Sequence, residues 1–185
     1  MTKVRASSIV ILLILSAYLS MAELDLMIDE SKYESQGRIS ADDVGILGTL
    51  EPRATTSDTM TGELRNTVKA GDEVNFVVVV KNYGTNAVTE MNIEVTIYLA
   101  DGTIATDTSG NALTWTDAVI CDDANACDFQ SLAAGAYLDG GSYSVRDASG
   151  AAIAWAAPLG AYTIAIELDV MSGDTDITND EFTVD

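Results

Sequence analysis

Three stretches of the chain alternate apolar and polar residues with the two-residue period of a half-buried β-strand. In EVNFVVVVKN, residues 73–82, Val74, Phe76, Val78 and Val80 share one face. Asn75, Val77, Val79 and Lys81 share the other, so the second face is only partly apolar. In EMNIEVTIYLADG, residues 90–102, Met91, Ile93, Val95, Ile97 and Leu99 are expected inward, with Asn92, Glu94, Thr96 and Tyr98 outward. Asp101-Gly102 then supplies a turn that tolerates positive φ. In AYTIAIELDV, residues 161–170, Tyr162, Ile164, Ile166, Leu168 and Val170 oppose Ala161, Thr163, Ala165, Glu167 and Asp169. EFTVD, residues 181–185, adds a short last strand. Weaker strand candidates, TIATDT, ALTWTDAVI, SYSVRD and AAIAWA, are punctuated by Gly, Asn and Asp.

Many short strands with one apolar face each predict an all-β fold, two antiparallel sheets packed face to face as a β-sandwich over residues 61–185. The valines at 77–80 belong to a central strand, and the chain turns out of the sheet at Tyr83-Gly84-Thr85-Asn86. Residues 23–60 differ. ELDLMID, residues 23–29, is a short alternating run, and residues 30–60 lack sustained periodicity and are rich in Ser, Thr, Asp and Gly. This region is expected to be a lead-in strand and a polar stalk, with Val44 to Leu50 as a segment that could dock. No repeat of 20 to 50 residues is visible, which argues against a solenoid.

The first 22 residues form a third region and predict an N-terminal hydrophobic helix. Lys3 and Arg5 precede an apolar stretch from Ile9 to Leu19, then Ser20-Met21-Ala22, with acidic Glu23 and Asp25 immediately after. That is the layout of a secretory signal cut between Ala22 and Glu23, and its apolar run is short for a membrane span of about 20 residues. The competing arrangement keeps it as an uncleaved anchor, giving a single-pass membrane protein with the sandwich outside. Either way the body of the chain is expected at the cell surface or beyond it.

Charge narrows the partners. Nine Lys and Arg against 29 Asp and Glu give a net charge of −20, from which no basic patch for nucleic acid can be assembled. Contact with membrane is expected only through the N-terminal segment, if it is retained. Cys121 and Cys127, in CDDANAC, are an even, close pair, expected as a disulfide in an oxidising compartment. Their spacing is not that of a Cys-x-x-Cys redox motif. The chain contains no histidine, which rules out Ser-His and Cys-His catalysis and, with two sulfurs, an ordinary zinc site. Twenty-nine acids make some close carboxylate pair inevitable, so a glycosidase gains no support from one. No nucleophile elbow, phosphate loop or dinucleotide fingerprint is present.

No cofactor is expected, and calcium is the ion the loops could invite. SGDTDITNDE places Asp174, Asp176, Asn179, Asp180 and Glu181 on one loop, and Asp122, Asp123 and Asp128 flank the cysteines. Calcium takes six to eight oxygens, but this loop lacks the EF-hand spacing, and solvated turn acids in an acidic protein account for it better. Of the aromatics, Trp155 lies in an Ala-rich apolar strand and is expected in the core. Trp115, between two threonines, is the candidate exposed contact.

VKAGDEVNFVVVVKNYGTNAVTEMNIEVTIYLADG resembles the opening strands of the CARDB family, the cell-adhesion-related immunoglobulin-like domains of prokaryotic surface proteins. The likeness is a Gly-Asp turn feeding a β-branched strand that ends in Lys-Asn-x-Gly, here Gly71, Asp72, Lys81, Asn82 and Gly84. SLAAGAYLDGGSYSV resembles the family's mid-domain segment, and LGAYTIAIELDVMSGDTDITNDEF its close. The resemblance covers roughly residues 64 to 185 and leaves residues 103–130, with the cysteines, as an insertion. It implies a spacer, adhesion module or accessory binding domain and brings no catalytic residues.

The expected protein is therefore an exported, non-enzymatic surface module for adhesion, assembly or binding, whose partners are other surface proteins or polysaccharide. Self-association by strand addition at an open sheet edge is a further expectation. The alternatives are a membrane-anchored component of a surface filament or its stator, and a polysaccharide-binding accessory domain.

Overall fold

The period-two stretches become the inner strands of two facing sheets. The computed structural model describes residues 43–52, 56–57, 64–65, 67–123, 126–170, 174 and 178–185. The expectations for the N-terminal helix, the Ala22–Glu23 junction, the ELDLMID run and Asp176 fall outside these residues. Among the described residues the strands are β1 (Val44–Glu51), β2 (Thr56–Ser57), β3 (Leu64–Arg65), β4 (Glu73–Asn75), β5 (Val77–Asn82), β6 (Met91–Leu99), β7 (Thr114–Ile120), β8 (Tyr143–Ser144), β9 (Ala154–Ala156), β10 (Tyr162–Asp169) and β11 (Glu181–Val184). No helix among them is long and apolar enough to cross a membrane.

Every strand pairing is antiparallel. One sheet has the order β1-β5-β8 and the other β11-β10-β6-β7, with small two-stranded sheets β4-β9 and β2-β3 beside them. Val44, Ile46, Val78, Val80 and Tyr143 of the first sheet face Met91, Ile93, Val95, Ile97, Val119, Ile164 and Ile166 of the second, and all are buried in one core. The fold is an immunoglobulin-like antiparallel β-sandwich.

Four details depart from the sequence pattern, each for a local reason. The lead-in contains a core strand, because β1 pairs with β5 along its length and Val44 to Leu47 are buried. A bulge between Ile46 and Gly48 breaks its alternation, so no period-two signal reaches the sequence. The EVNFVVVVKN run divides at Phe76. β4 pairs with β9, whereas β5 pairs with β1 and β8, so one continuous stretch serves two sheets. Residues 103–130 are not an excursion from the sandwich. Short bridges Tyr98↔Ile104 and Thr106↔Ala112 lead into β7, which pairs with β6 and completes the four-stranded sheet. Finally, Leu99 is exposed at the end of β6, while Thr96 is buried with its hydroxyl 3.0 Å from that of Thr114.

Two hairpin turns repeat one local solution. In DTSGN, Asp107 Oδ1 accepts the backbone N–H groups of Ser109 and Asn111; in DASGA, Asp147 Oδ1 accepts those of Ser149 and Ala151. Gly110 and Gly150 supply the left-handed φ values of 85° and 79° that the turns require. The Asn111 side chain, with those amides, holds the Asp107 carboxyl below its ordinary range, and Ser149 does the same for Asp147.

Candidate functional site

Three places gather polar or exposed apolar chemistry. The first is the acidic loop between β10 and β11. Asp174 Oδ2 accepts the Val44 N–H at 2.7 Å, and the Asn179 carbonyl accepts the Ile46 N–H at 2.9 Å. Asn179, only 5% exposed, donates its side-chain N–H to Asp43 Oδ1 at 2.9 Å. Gly45 admits this approach, since a Cβ there would lie 2.7 Å from Asn179 Cγ. The loop acids thus fasten the start of β1 to the loop before β11. Asp180 lies half-buried beside them. No group of three His, Cys, Asp or Glu side chains that could hold a metal is present among the described residues.

The second place lies between the sheets, around Tyr143 of β8 and Asp117 of β7. The Tyr143 hydroxyl, on a side chain 1% exposed, lies 2.8 Å from Asp117 Oδ2 and 3.0 Å from Asp128 Oδ2. Asp117 Oδ2 also accepts the Arg146 N–H at 2.7 Å, and Asp128 Oδ1 pairs with Arg146 Nη1 at 2.8 Å. One phenolic proton therefore faces two carboxylates. Burial raises the Asp117 carboxyl above its ordinary range, against the lowering effect of the Arg146 amide and the Tyr143 hydroxyl. Burial and the two adjacent carboxylates push the Tyr143 phenol far up, so it stays protonated. The Cys121–Cys127 disulfide, with Cα atoms 5.8 Å apart, completes this arrangement. It brings Phe129 alongside β7, where its N–H donates to the Val119 carbonyl at 3.0 Å and its carbonyl accepts the Cys121 N–H at 3.2 Å. Phe129 packs edge-on to Tyr143, and Asp128 is delivered to the hydroxyl. These groups clasp the two sheets together.

The third place is a groove of about 600 Å³ at the pole where β6 ends and β10 begins. Its floor includes Val74, Trp155, Ile164 and Val184, and Val68 and Leu159 form part of its walls. Among the described residues of the lining, Asp185 is the charged one. Leu159, between Pro158 and Gly160, is 92% exposed. Trp155 is 8% exposed and meets Tyr162 edge-on with ring centroids 5.0 Å apart, which agrees with the core position expected of it. Trp115 is not the exposed contact expected from sequence. It pairs opposite Val95 on the inner face and is half-buried, its ring centroid 5.9 Å from that of Phe76. The groove was not anticipated. Its one sequence signal is a large aliphatic residue isolated in the Pro-Leu-Gly turn, with no strand around it to bury it.

A search of solved structures finds a likeness to the crystal structure of the CARDB domain of a Pyrococcus furiosus protein, in complex with di-metal ions. It has a TM-score of 0.44 and 15% identity, and covers 81% of this chain and 92% of that one. No family model matches the chain, and no curated protein does.

Proposed function

We propose that the chain is an exported, non-enzymatic β-sandwich that works by surface contact, in adhesion, assembly or binding. The observation that carries this is the half-open apolar groove with Leu159 standing in solvent at its lip. Large exposed aliphatic residues beside an apolar concavity mark contact surfaces. The disulfide supports an extracytoplasmic setting, because such bonds persist in oxidising compartments. The buried acids support a structural use of the ionisable groups, since Asp117 clasps the sheets and Asp43 fastens β1. Polysaccharide binding draws no support from the tryptophans, whose rings are engaged with Phe76 and Tyr162.

A photo-crosslinker placed at residue 159, in native surface material, tests the proposal. A discrete adduct with another surface component, on protein accessible to external protease in intact cells, is the expected result. Protease-protected protein with reduced cysteines would overturn it.

A further inference from the structure

Strand addition needs a sheet edge with unused backbone groups, and β7 is an edge strand of the four-stranded sheet. The Ile97 N–H donates to the Leu113 carbonyl at 3.0 Å, and Val95 and Ile93 follow in register with Trp115 and Asp117. Backbone groups alternate in direction along a strand. Those of Trp115 and Asp117 therefore point to β6, and those of Thr114, Thr116 and Ala118 point away from it. Among the described residues, no hydrogen bond from beyond β7 reaches the N–H or carbonyl of these three. Both ends of the stretch are closed by the chain itself. The Leu113 N–H donates to the Ala105 carbonyl at 2.8 Å, and the Val119 carbonyl accepts the Phe129 N–H at 3.0 Å. The window from Thr114 to Ala118 stays open between them. Its outward side chains, Thr114, Thr116 and Ala118, are exposed and uncharged, while Asp117 is buried against the Tyr143 hydroxyl and the Arg146 N–H. On a chain of net charge −20, this strip lets two copies meet with little local repulsion. The other edges offer less. β8 is two residues long, the Val44 and Ile46 N–H groups of β1 are bonded to Asp174 and Asn179, and β11 begins at the Glu181 carboxylate.

We propose that β7 pairs with β7 of a second copy of this chain, antiparallel about a two-fold axis at Thr116, so that two four-stranded sheets become one. Thr116 of one copy then faces Thr116 of the other, and Thr114 faces Ala118. Each of these pairs exchanges two N–H···O=C bonds, so every outward backbone group of the window gains a partner in both copies. The stretch is self-complementary in this register, which is the condition for an isologous contact. An inward acid and a bulge are devices that commonly guard an edge, and here both are engaged elsewhere. Asp117 is held in the clasp with Tyr143, and the bulge at Val119 admits Phe129. Three bonded pairs make a weak, concentration-dependent dimer. Salt controls it, because screening removes the long-range repulsion between two strongly acidic copies. This contact lies apart from the groove and goes beyond the reading of the pole as a contact surface.

Sedimentation equilibrium of the intact protein, with hydrogen exchange read at single amides, tests the pairing. The dimer is expected to tighten at least tenfold from low to high salt. As it forms, the Thr114, Thr116 and Ala118 amides should gain protection while those of β10 stay unchanged. Thr116→Pro removes an outward N–H that the domain itself does not use, whereas Thr116→Val keeps the backbone and alters the side chain. The proline variant should weaken the dimer at least tenfold, and the valine variant less than twofold. Thr114→Pro, at the first residue of β7 where proline is best tolerated, should weaken it as well and serves if Thr116→Pro does not fold. A chain that stays monomeric at high salt and high concentration overturns the proposal. A dimer whose three β7 amides exchange as fast as in the monomer overturns it too, and moves the association to another surface. Crosslinking from residue 159 reports on the pole whichever way β7 behaves.

Discussion

Tyr143 joins β8, at the edge of one sheet, to Asp117 of β7, at the edge of the other, through a buried hydrogen bond. Removing its hydroxyl leaves Asp117 Oδ2 with the Arg146 N–H alone and turns an apolar ring edge towards Asp128 Oδ2, and losing a buried hydrogen bond to a charged group costs about 1–3 kcal/mol. Tyr143→Phe should therefore unfold at lower urea by that amount, with an unchanged urea slope. Asp117 adds a pH dependence whose sign follows from its raised carboxyl. A folded-state value above the unfolded one means that the native protein holds the proton more tightly. The stabilisation is complete below the ordinary carboxylate value, about 3.9, and is lost as pH rises through the raised folded value. Asp117→Asn cannot release a proton. Its urea midpoint, relative to wild type, should improve with rising pH across that window. A constant difference between the two proteins would show that Asp117 titrates as it does in the unfolded chain.

At the scale of elements, like charges stand opposite one another where strands meet. Glu94 on β6, Glu167 on β10 and Glu181 on β11 are in register across three neighbouring strands, on the outer face of the four-stranded sheet. Burial raises the Glu167 carboxyl, with Glu181 and then Glu94 adding to the effect. Directly opposed like charges destabilise a sheet, by a few tenths to about 1 kcal/mol per pair, and exposure reduces this further. Glu167→Lys turns both repulsions into attractions and should raise the melting temperature, more at low than at high ionic strength. A fall in stability would mean that Glu167 has a favourable role that its register conceals.

The same scale shows what was legible in advance. The alternating runs of β6 and β10 placed Ile93, Val95, Ile164 and Ile166 correctly, because regular strands flanked by a core print their period in the sequence. β1 printed none, since its bulge and two glycines interrupt the alternation. The Lys81-Asn82-Tyr83-Gly84 stop was visible as a turn, but its reason is tertiary. Asn82 Nδ2 donates to the Asn86 and Leu132 carbonyls, at 2.8 and 2.9 Å, and its Oδ1 accepts the Gly84 N–H. Leu132 lies 50 residues away in the chain, beyond the reach of any local pattern. The disulfide was readable from the spacing of the two cysteines, whereas the clasp it serves depends on two sheets meeting. Trp115 misled because its threonine neighbours alternate with it to the outer face, while the ring itself turns in.

For the molecule as a whole, the acids of the β10–β11 loop bear on calcium. Asp174 and Asn179 already engage the backbone of β1 and the Asp43 side chain, so an ion would compete with bonds the fold uses. Calcium, against chelator at matched ionic strength, should move the melting temperature by no more than about 1 °C. A ligand that stabilises a domain of this size by 1 kcal/mol moves it by about 2–4 °C. A rise of several degrees would establish a specific site.

The chain enters β1 beside Asn82 and Asn179 and leaves β11 beside Ile164, at the pole that holds the groove. Entrance and exit thus lie at opposite ends of the long strands. If such a domain is held at one end and pulled at the other, the tension runs along β1 and β11. The rungs joining β1 to β5 and β11 to β10 are then loaded together in shear, and cannot open one after another from a corner. A sandwich threaded this way resists stretching better than its equilibrium stability alone would indicate, which is the property a tether exposed to flow or traction requires.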